Sequence, residues 1–307
     1  MANGSEAKIK IYMLGRFAVE YDGNVVLQDE GKVHKVWTLF GYLLANHSRT
    51  LGITELPELL CGDDRSNDPQ KAVKNLAYRL RKLLSDSGMP KDDYIVPQGG
   101  TYSWNNDLDF SIDMEEFNEV YNQACAEKEN PEKAENLYTR AINLYGGDFL
   151  PGFEYDGWAV NLSVYYHRIF TECITSLFNI LKEKEAFEPM LPVCEKAIAI
   201  DEYDELIYKI YIYSLIKLGK HKQALEAYET ITSKLYDELG VNPSKELRAL
   251  YRDIIKTLKS VETDLQVIKE DLNEGGKSKC CYFCEYQIFK DIYRFIARRV
   301  GRTGESI

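Results

Sequence analysis

The chain has 307 residues, a net charge of −11, 45% hydrophobic residues and 22 tyrosines. This length gives two or three domains, each able to bury its own core. The acid gathers in residues 108–262, whereas residues 1–107 are nearly neutral, which excludes a general nucleic-acid binder held by a basic surface. The sequence carries no signal peptide and no apolar run long enough to span a bilayer, and its seven cysteines fit a reducing cytoplasm better than a disulfide framework.

After a polar leader, Met1–Ala7, the run Lys8–Glu20 is rich in β-forming residues. Tyr21-Asp22-Gly23-Asn24 is a turn with Asp-Gly at its centre, and Val25-Val26-Leu27 returns as a strand. Lys32–Asn46 is a helix that places Val36, Leu39, Phe40, Leu43 and Leu44 inward. Arg49–Ile53 forms a short strand, and Thr54–Leu60 a short helix capped by Thr54.

Asp68–Ser85 carries more information. Val73, Leu76, Ala77, Leu80, Leu83 and Leu84 fall on one side of a helix at i, i+3, i+4 and i+7 spacing. Asp68 followed by Pro69 is an N-cap with proline at the first helical position. The opposite side collects Lys71, Lys74, Asn75, Tyr78 and Lys82, with Arg79 and Arg81 on its shoulders. A basic face is, by itself, usually a solvated face. Cations, an amide and a phenol together are also the side chains that contact phosphates and base edges in a major groove. Tyr94-Ile95-Val96, a Gly99-Gly100 turn and Thr101–Trp104 then form a hairpin. Strands, three helices and a hairpin make a winged helix-turn-helix, in which the third helix enters the major groove and Gly99, Gly100 and Thr101 at the wing lie against the DNA backbone or minor groove.

From Ser111 onward the pattern is helical. Asp113–Ala126, Pro131–Tyr145, Gly157–Lys184, Glu188–Ile200, Tyr203–Leu218, His221–Leu239 and Ser244 onward all carry 3.6-period apolar faces. Leu191 and Cys194 answer Leu225 and Tyr228 at a spacing near 34, so Phe187–Leu218 and His221–Leu258 resemble tetratricopeptide repeats. Leu247, Tyr251, Ile254, Leu258, Val261, Leu265, Ile268 and Leu272 form an unbroken 4,3 seam. Its first half suits a last repeat helix; Val261, Leu265, Ile268 and Leu272 suit a coiled-coil contact with a second copy. Asn273–Ser278 is a joint, Lys279–Glu285 a strand and Tyr286–Arg299 a helix. One strand and one helix close no core, so this unit is expected to open a truncated C-terminal α/β domain.

The fold class expected is therefore mainly α: an N-terminal winged helix-turn-helix (α+β) over 1–107, an all-α tetratricopeptide-like domain over 108–258, a helical linker over 259–278 and the start of a further domain over 279–307. With these elements in order, the chain resembles the SARP/AfsR-type bacterial transcriptional regulators, which join an OmpR-like winged helix to a bacterial transcriptional activation domain. The matching stretches are IYMLGRFAVEYDG, AVKNLAYRLRKLL, YIVPQGGTYSW, GDFLPGFEYDGWA and KLGKHKQALEAYETITSKLYDELGVNPSKELRALYRDI, together covering roughly residues 8–258. The resemblance implies a transcription activator that binds repeated double-stranded promoter sites and contacts RNA polymerase, with helical repeats for assembly or for sensing an effector that the sequence does not identify. Carried over by position, the base contacts fall on Lys74, Asn75, Tyr78 and Arg79; Tyr78 stands where many relatives have a small residue. The tail CYFCEYQIFKDIYRFIARRVGRTGESI departs from the simplest members and is similar to the opening of a ferredoxin-like, nucleotide-cyclase-type domain.

Enzyme chemistry has no residues to stand on: the sequence has no GxxxxGK[ST], no HExxH and no serine in a glycine elbow. No cofactor or metal is expected. Cys280, Cys281 and Cys284 form the only metal-like spacing, and they read as small hydrophobes of a strand because no second ligand pair accompanies them. Two readings remain: a dimeric DNA-binding activator, or a repeat-based signalling scaffold whose winged helix binds protein. The basic face of Asp68–Ser85 favours the first.

Overall fold

The computed structural model describes residues 8–29, 31, 34–56, 68–90, 92–127, 129–261, 288 and 292–296. Residues 1–255 form one compact unit and 256–307 a second. The β-forming run at the start divides into β1 (Ile9–Tyr12) and β2 (Ala18–Tyr21), and β3 (Asn24–Gln28) follows the Asp-Gly turn. The break falls at Gly15, whose φ of +83° suits glycine alone. β1, β2 and β3 pair antiparallel, and Asp22 and Gly23 both take positive φ in the connecting turn.

A fourth strand, β7 (Phe110–Ile112), pairs parallel with β1 and completes the sheet in the order β3-β2-β1-β7. The sequence reading has no strand here. Three residues flush against a helix start show no alternation to read, and this strand lies on the far side of the expected boundary at residue 107. Between these strands come α1 (His34–Ala45), β4 (Leu51–Gly52), α2 (Pro69–Asp86) and the hairpin β5 (Ile95–Gln98) with β6 (Thr101–Trp104). β4 pairs with β6, giving a second sheet in the order β4-β6-β5. Val36, Leu39, Phe40, Leu43 and Leu44 of α1 are buried, as their spacing predicts. The expected helix after Thr54 lies mostly outside the described residues.

The helices that follow are α3 (Asp113–Ala126), α4 (Pro131–Leu144), α5 (Gly157–Glu183), α6 (Met190–Ile200), α7 (Glu205–Lys217), α8 (His221–Asp237) and α9 (Lys245–Val261). Each falls within two residues of its sequence-based start. α4 begins as its sequence dictates: the Asn130 side chain accepts from Lys133 N at 3.1 Å, and Pro131 occupies the first position. Cys173 and Cys194 are free and buried, packed as small hydrophobes. Of the 4,3 seam, Leu247 and Ile254 are buried and the Tyr251 ring stacks on Tyr228 of α8 at 4.7 Å, so this half packs on the preceding repeat. Leu265, Ile268 and Leu272, the Val261 side chain and the Cys280, Cys281 and Cys284 cluster lie outside the described residues. Ile288 and residues 292–296 are helical, inside the helix expected over Tyr286–Arg299.

Candidate nucleic-acid interface

α2 is seated by its apolar stripe. Val73, Leu76, Ala77, Leu80 and Leu84 are buried, and burial of each large side chain stabilises by about 1.5–3 kcal/mol. Its start is held by Asp68, whose carboxylate accepts from Lys71 N at 3.0 Å. A stripe this complete fixes the helix's rotation, so the remaining side chains have one direction to face. Lys71, Lys74, Asn75, Tyr78, Arg79 and Lys82 are all exposed, with Tyr78 at 65% of its full surface. Among the described residues none of Lys71, Lys74, Arg79 and Lys82 is paired with a carboxylate. Unneutralised cations on a fixed face are available to an anion.

Arg81 is set apart from this group. It is half-buried, its guanidinium carbon lies 5.8 Å from the centre of the Tyr102 ring in β6, and its Nε is buried without a hydrogen-bond partner. It ties α2 to the hairpin, and the spacing that puts it on the shoulder of the basic face cannot show which neighbour it leans on. Helix and wing are thereby held together.

The wing turns on Gly99 and Gly100, with φ of +56° and +84°, and nothing approaches either α-carbon's open side within 4 Å. Thr101 donates its hydroxyl to Gln98 O at 2.6 Å, closing the tip. The root of the wing is aromatic: Trp104 lies 5.8 Å from Phe40, 6.0 Å from Tyr94 and 5.9 Å from Phe110, ring centre to ring centre. The tip is open and the root rigid, as a projecting contact loop requires.

A second set of residues, invisible to periodicity, joins the winged helix to the helices after it. Asp113, the first residue of α3, accepts from Met13 N at 2.8 Å and Leu14 N at 3.0 Å. The residue as a whole is only partly buried, but its carboxyl group points inward, and burial lifts it to about 7 against the pull of the backbone amides it accepts. Gly15 N donates to Asp148 O and Leu150 N to Met13 O, both at 2.8 Å, and Leu14 bridges Phe149. A β-carbon on Gly15 would lie 2.4 Å from the Gly146 carbonyl, and one on Gly146 would lie 2.6 Å from Leu14 O. Tyr42 of α1 meets Trp158 of α5 edge to face at 5.2 Å. The stretches IYMLGRFAVEYDG and GDFLPGFEYDGWA, read separately in the sequence, are thus two sides of one seam. The signal that could have revealed it is the glycine pair Gly146-Gly147 facing a lone Gly15, since close backbone approach demands glycine on both sides.

Residues 112–255 match the family described as the bacterial transcriptional activator domain. The chain is 24% identical over 222 residues to the regulatory protein AfsR of Streptomyces coelicolor, covering 71% of this chain and 22% of AfsR. It is 23% identical over 227 residues to the transcriptional regulator RedD of the same organism, covering 72% of this chain and 64% of RedD. The chain therefore spans about a fifth of AfsR and somewhat under two thirds of RedD. In fold it is similar to Mycobacterium tuberculosis EmbR, solved in complex with a low-affinity phosphopeptide, with a TM-score of 0.56, 18% identity, and coverage of 81% of this chain and 65% of EmbR. Among the described residues no helix is long and apolar enough to cross a membrane. A winged helix with a seated basic helix is thus joined through a glycine seam to helices that match the bacterial transcriptional activator domain, and the chain as a whole is similar to regulators of the SARP/AfsR type.

Proposed function

We propose that this chain activates transcription by binding repeated promoter sites as a cytoplasmic homodimer. α2 enters the major groove, where Lys74, Asn75, Tyr78 and Arg79 meet base edges, while Lys71, Lys82 and the wing residues Gly99, Gly100 and Thr101 contact phosphate. Arg81 contributes by bracing helix against wing. The helical repeats contact RNA polymerase or a regulatory partner, and an effector acts on them or on the C-terminal region. The observation that carries the reading is the exposed face of α2, which presents four cations without a carboxylate partner among the described residues, an amide and a phenol on a helix whose rotation its core fixes.

Binding sites selected from random DNA supply the probe for the test. Lys74→Ala and Arg79→Ala are each expected to weaken that site by about 1–3 kcal/mol in gel shifts and to relax preference at one base position. Lys82→Ala is expected to weaken all sequences alike and to reduce the salt slope by about one phosphate contact. Unchanged affinity in both Lys74→Ala and Arg79→Ala would overturn the assignment and favour a scaffold whose winged helix binds protein.

A further inference from the structure

Among the described residues, ligand-type side chains gather away from α2 where α5 passes the connection between α6 and α7. His167 projects from α5; Asp201 follows the end of α6; Asp204 caps the start of α7. One candidate donor atom from each lies within 4.8 Å of the others. His167 Nε2 stands 3.6 Å from Asp201 Oδ2, too long for a hydrogen bond, and close to the ~3.3 Å edge between two ligands of a tetrahedral ion with 2.0–2.1 Å bonds. Each aspartate uses Oδ1 for the backbone: Asp201 accepts from Tyr203 N, and Asp204 from Leu206 N and Ile207 N. Those bonds aim the two carboxylates and leave one oxygen on each.

Two further observations point to a ligand. His167 Nδ1, the other ring nitrogen, faces Asp148 Oδ1 at 3.9 Å. A metal-bound histidine typically donates its second N–H to a carboxylate, which fixes the ring and raises its basicity. Behind them Tyr145 is wholly buried, and its hydroxyl interacts with Asp148 without a hydrogen bond of ordinary length, Asp201 being its other charged neighbour. A buried hydroxyl left under-satisfied beside two carboxylates marks a site whose polar inventory is incomplete. Three carboxylates crowd one imidazole, and Arg168, the next residue on α5, is already paired with Glu172 at 2.7 Å. His167 and Asp204 also line an open cavity of about 440 Å³, a route for an ion and its remaining waters.

We propose that His167 Nε2, Asp201 and Asp204 bind a divalent transition-metal ion of the Zn²⁺ class, with Asp148 as the outer partner that orients His167. Imidazole nitrogen with carboxylate oxygen suits Zn²⁺ and its neighbours and disfavours Ca²⁺ or Mg²⁺, which take oxygen alone. The ion clips α5 to the turn that opens the repeats. Because Asp148 also accepts from Gly15 through its main chain, occupancy bears on the seam with the winged helix.

Zn²⁺ titration of the full chain by calorimetry tests this, with Co²⁺ absorption to report donor type. The expected result is a binding step that persists when Cys280, Cys281 and Cys284 are all replaced by serine and shows no thiolate charge-transfer band. That step is lost in His167→Gln and in Asp201→Asn, and weakens 10- to 100-fold in Asp148→Asn. Zn²⁺ should raise the Tm of the wild type and leave that of folded His167→Gln unchanged. No Zn²⁺ binding, binding lost only with the cysteines, or equal binding in His167→Gln and Asp201→Asn overturns the proposal. None of these readouts involves DNA, so they stand or fall apart from promoter binding.

Discussion

Asp113 is the residue whose chemistry is least expected from its neighbours. It is one of three acids in the first turn of α3, yet Asp113 alone turns back to hold Met13 N and Leu14 N, joining positions a hundred residues apart. Its pKa is raised to about 7, so the folded state binds a proton that the unfolded chain, near 3.8, releases. Its linked stability is therefore fully present below about pH 4 and is lost as pH rises toward 7. Asp113→Asn is expected to remove that slope from urea-unfolding curves measured between pH 4 and 8. The neutral amide keeps one acceptor and leaves an amide N–H of β1's end short of a partner, so it should also cost about 1–3 kcal/mol. A wild-type profile that is flat over this range, or a variant with the same slope, would contradict the assignment.

At the level of elements, the seam between β1 and the α4–α5 connection sets a sharper demand than any helix. Gly146→Ala places a methyl 2.6 Å from Leu14 O, backbone against backbone, with no side chain free to yield. The variant is expected to lose about 2 kcal/mol or more in denaturant unfolding, as overpacking does. Gly152→Ala, whose open side meets nothing within 4 Å, should lose less despite its positive φ. Helices were legible in advance because α3 to α9 each bury a 3.6-period stripe. The direction of α2's basic face was legible too, because Val73, Leu76, Ala77, Leu80 and Leu84 leave it one orientation. β7, the partner of Arg81 and the Gly15–Gly146 contact were not legible. Each depends on a neighbour far away in the chain, and periodicity records only what lies within a few residues.

For the molecule as a whole, charge sets the problem. Most of the −11 lies in residues 108–262, while the winged helix that presents α2 is nearly neutral, so on the proposed promoter-binding reading one copy would offer DNA only a small cationic patch. Two copies on a repeated site gain by effective concentration what one lacks. α9 runs to Val261, the first of the 4,3 positions Val261, Leu265, Ile268 and Leu272 that the sequence offers to a second copy. We expect Leu265→Lys to shift a dimer toward monomer in sedimentation and to weaken binding to paired sites far more than to a single site. A wild-type chain that is monomeric at all concentrations would remove this contact from the account.

The parallel pairing of β7 with β1 bears on how the chain can be cut. A fragment ending near residue 107 keeps α2 and the wing tip but loses Phe110 from the root of the wing and strips β1 of one of its two neighbours. The backbone of Ile9–Ile11 then becomes an unprotected sheet edge, the kind of template on which identical strands add to one another. The smallest winged-helix piece that stays dispersed must therefore carry at least Ile112, and with it the first residues of the activator domain.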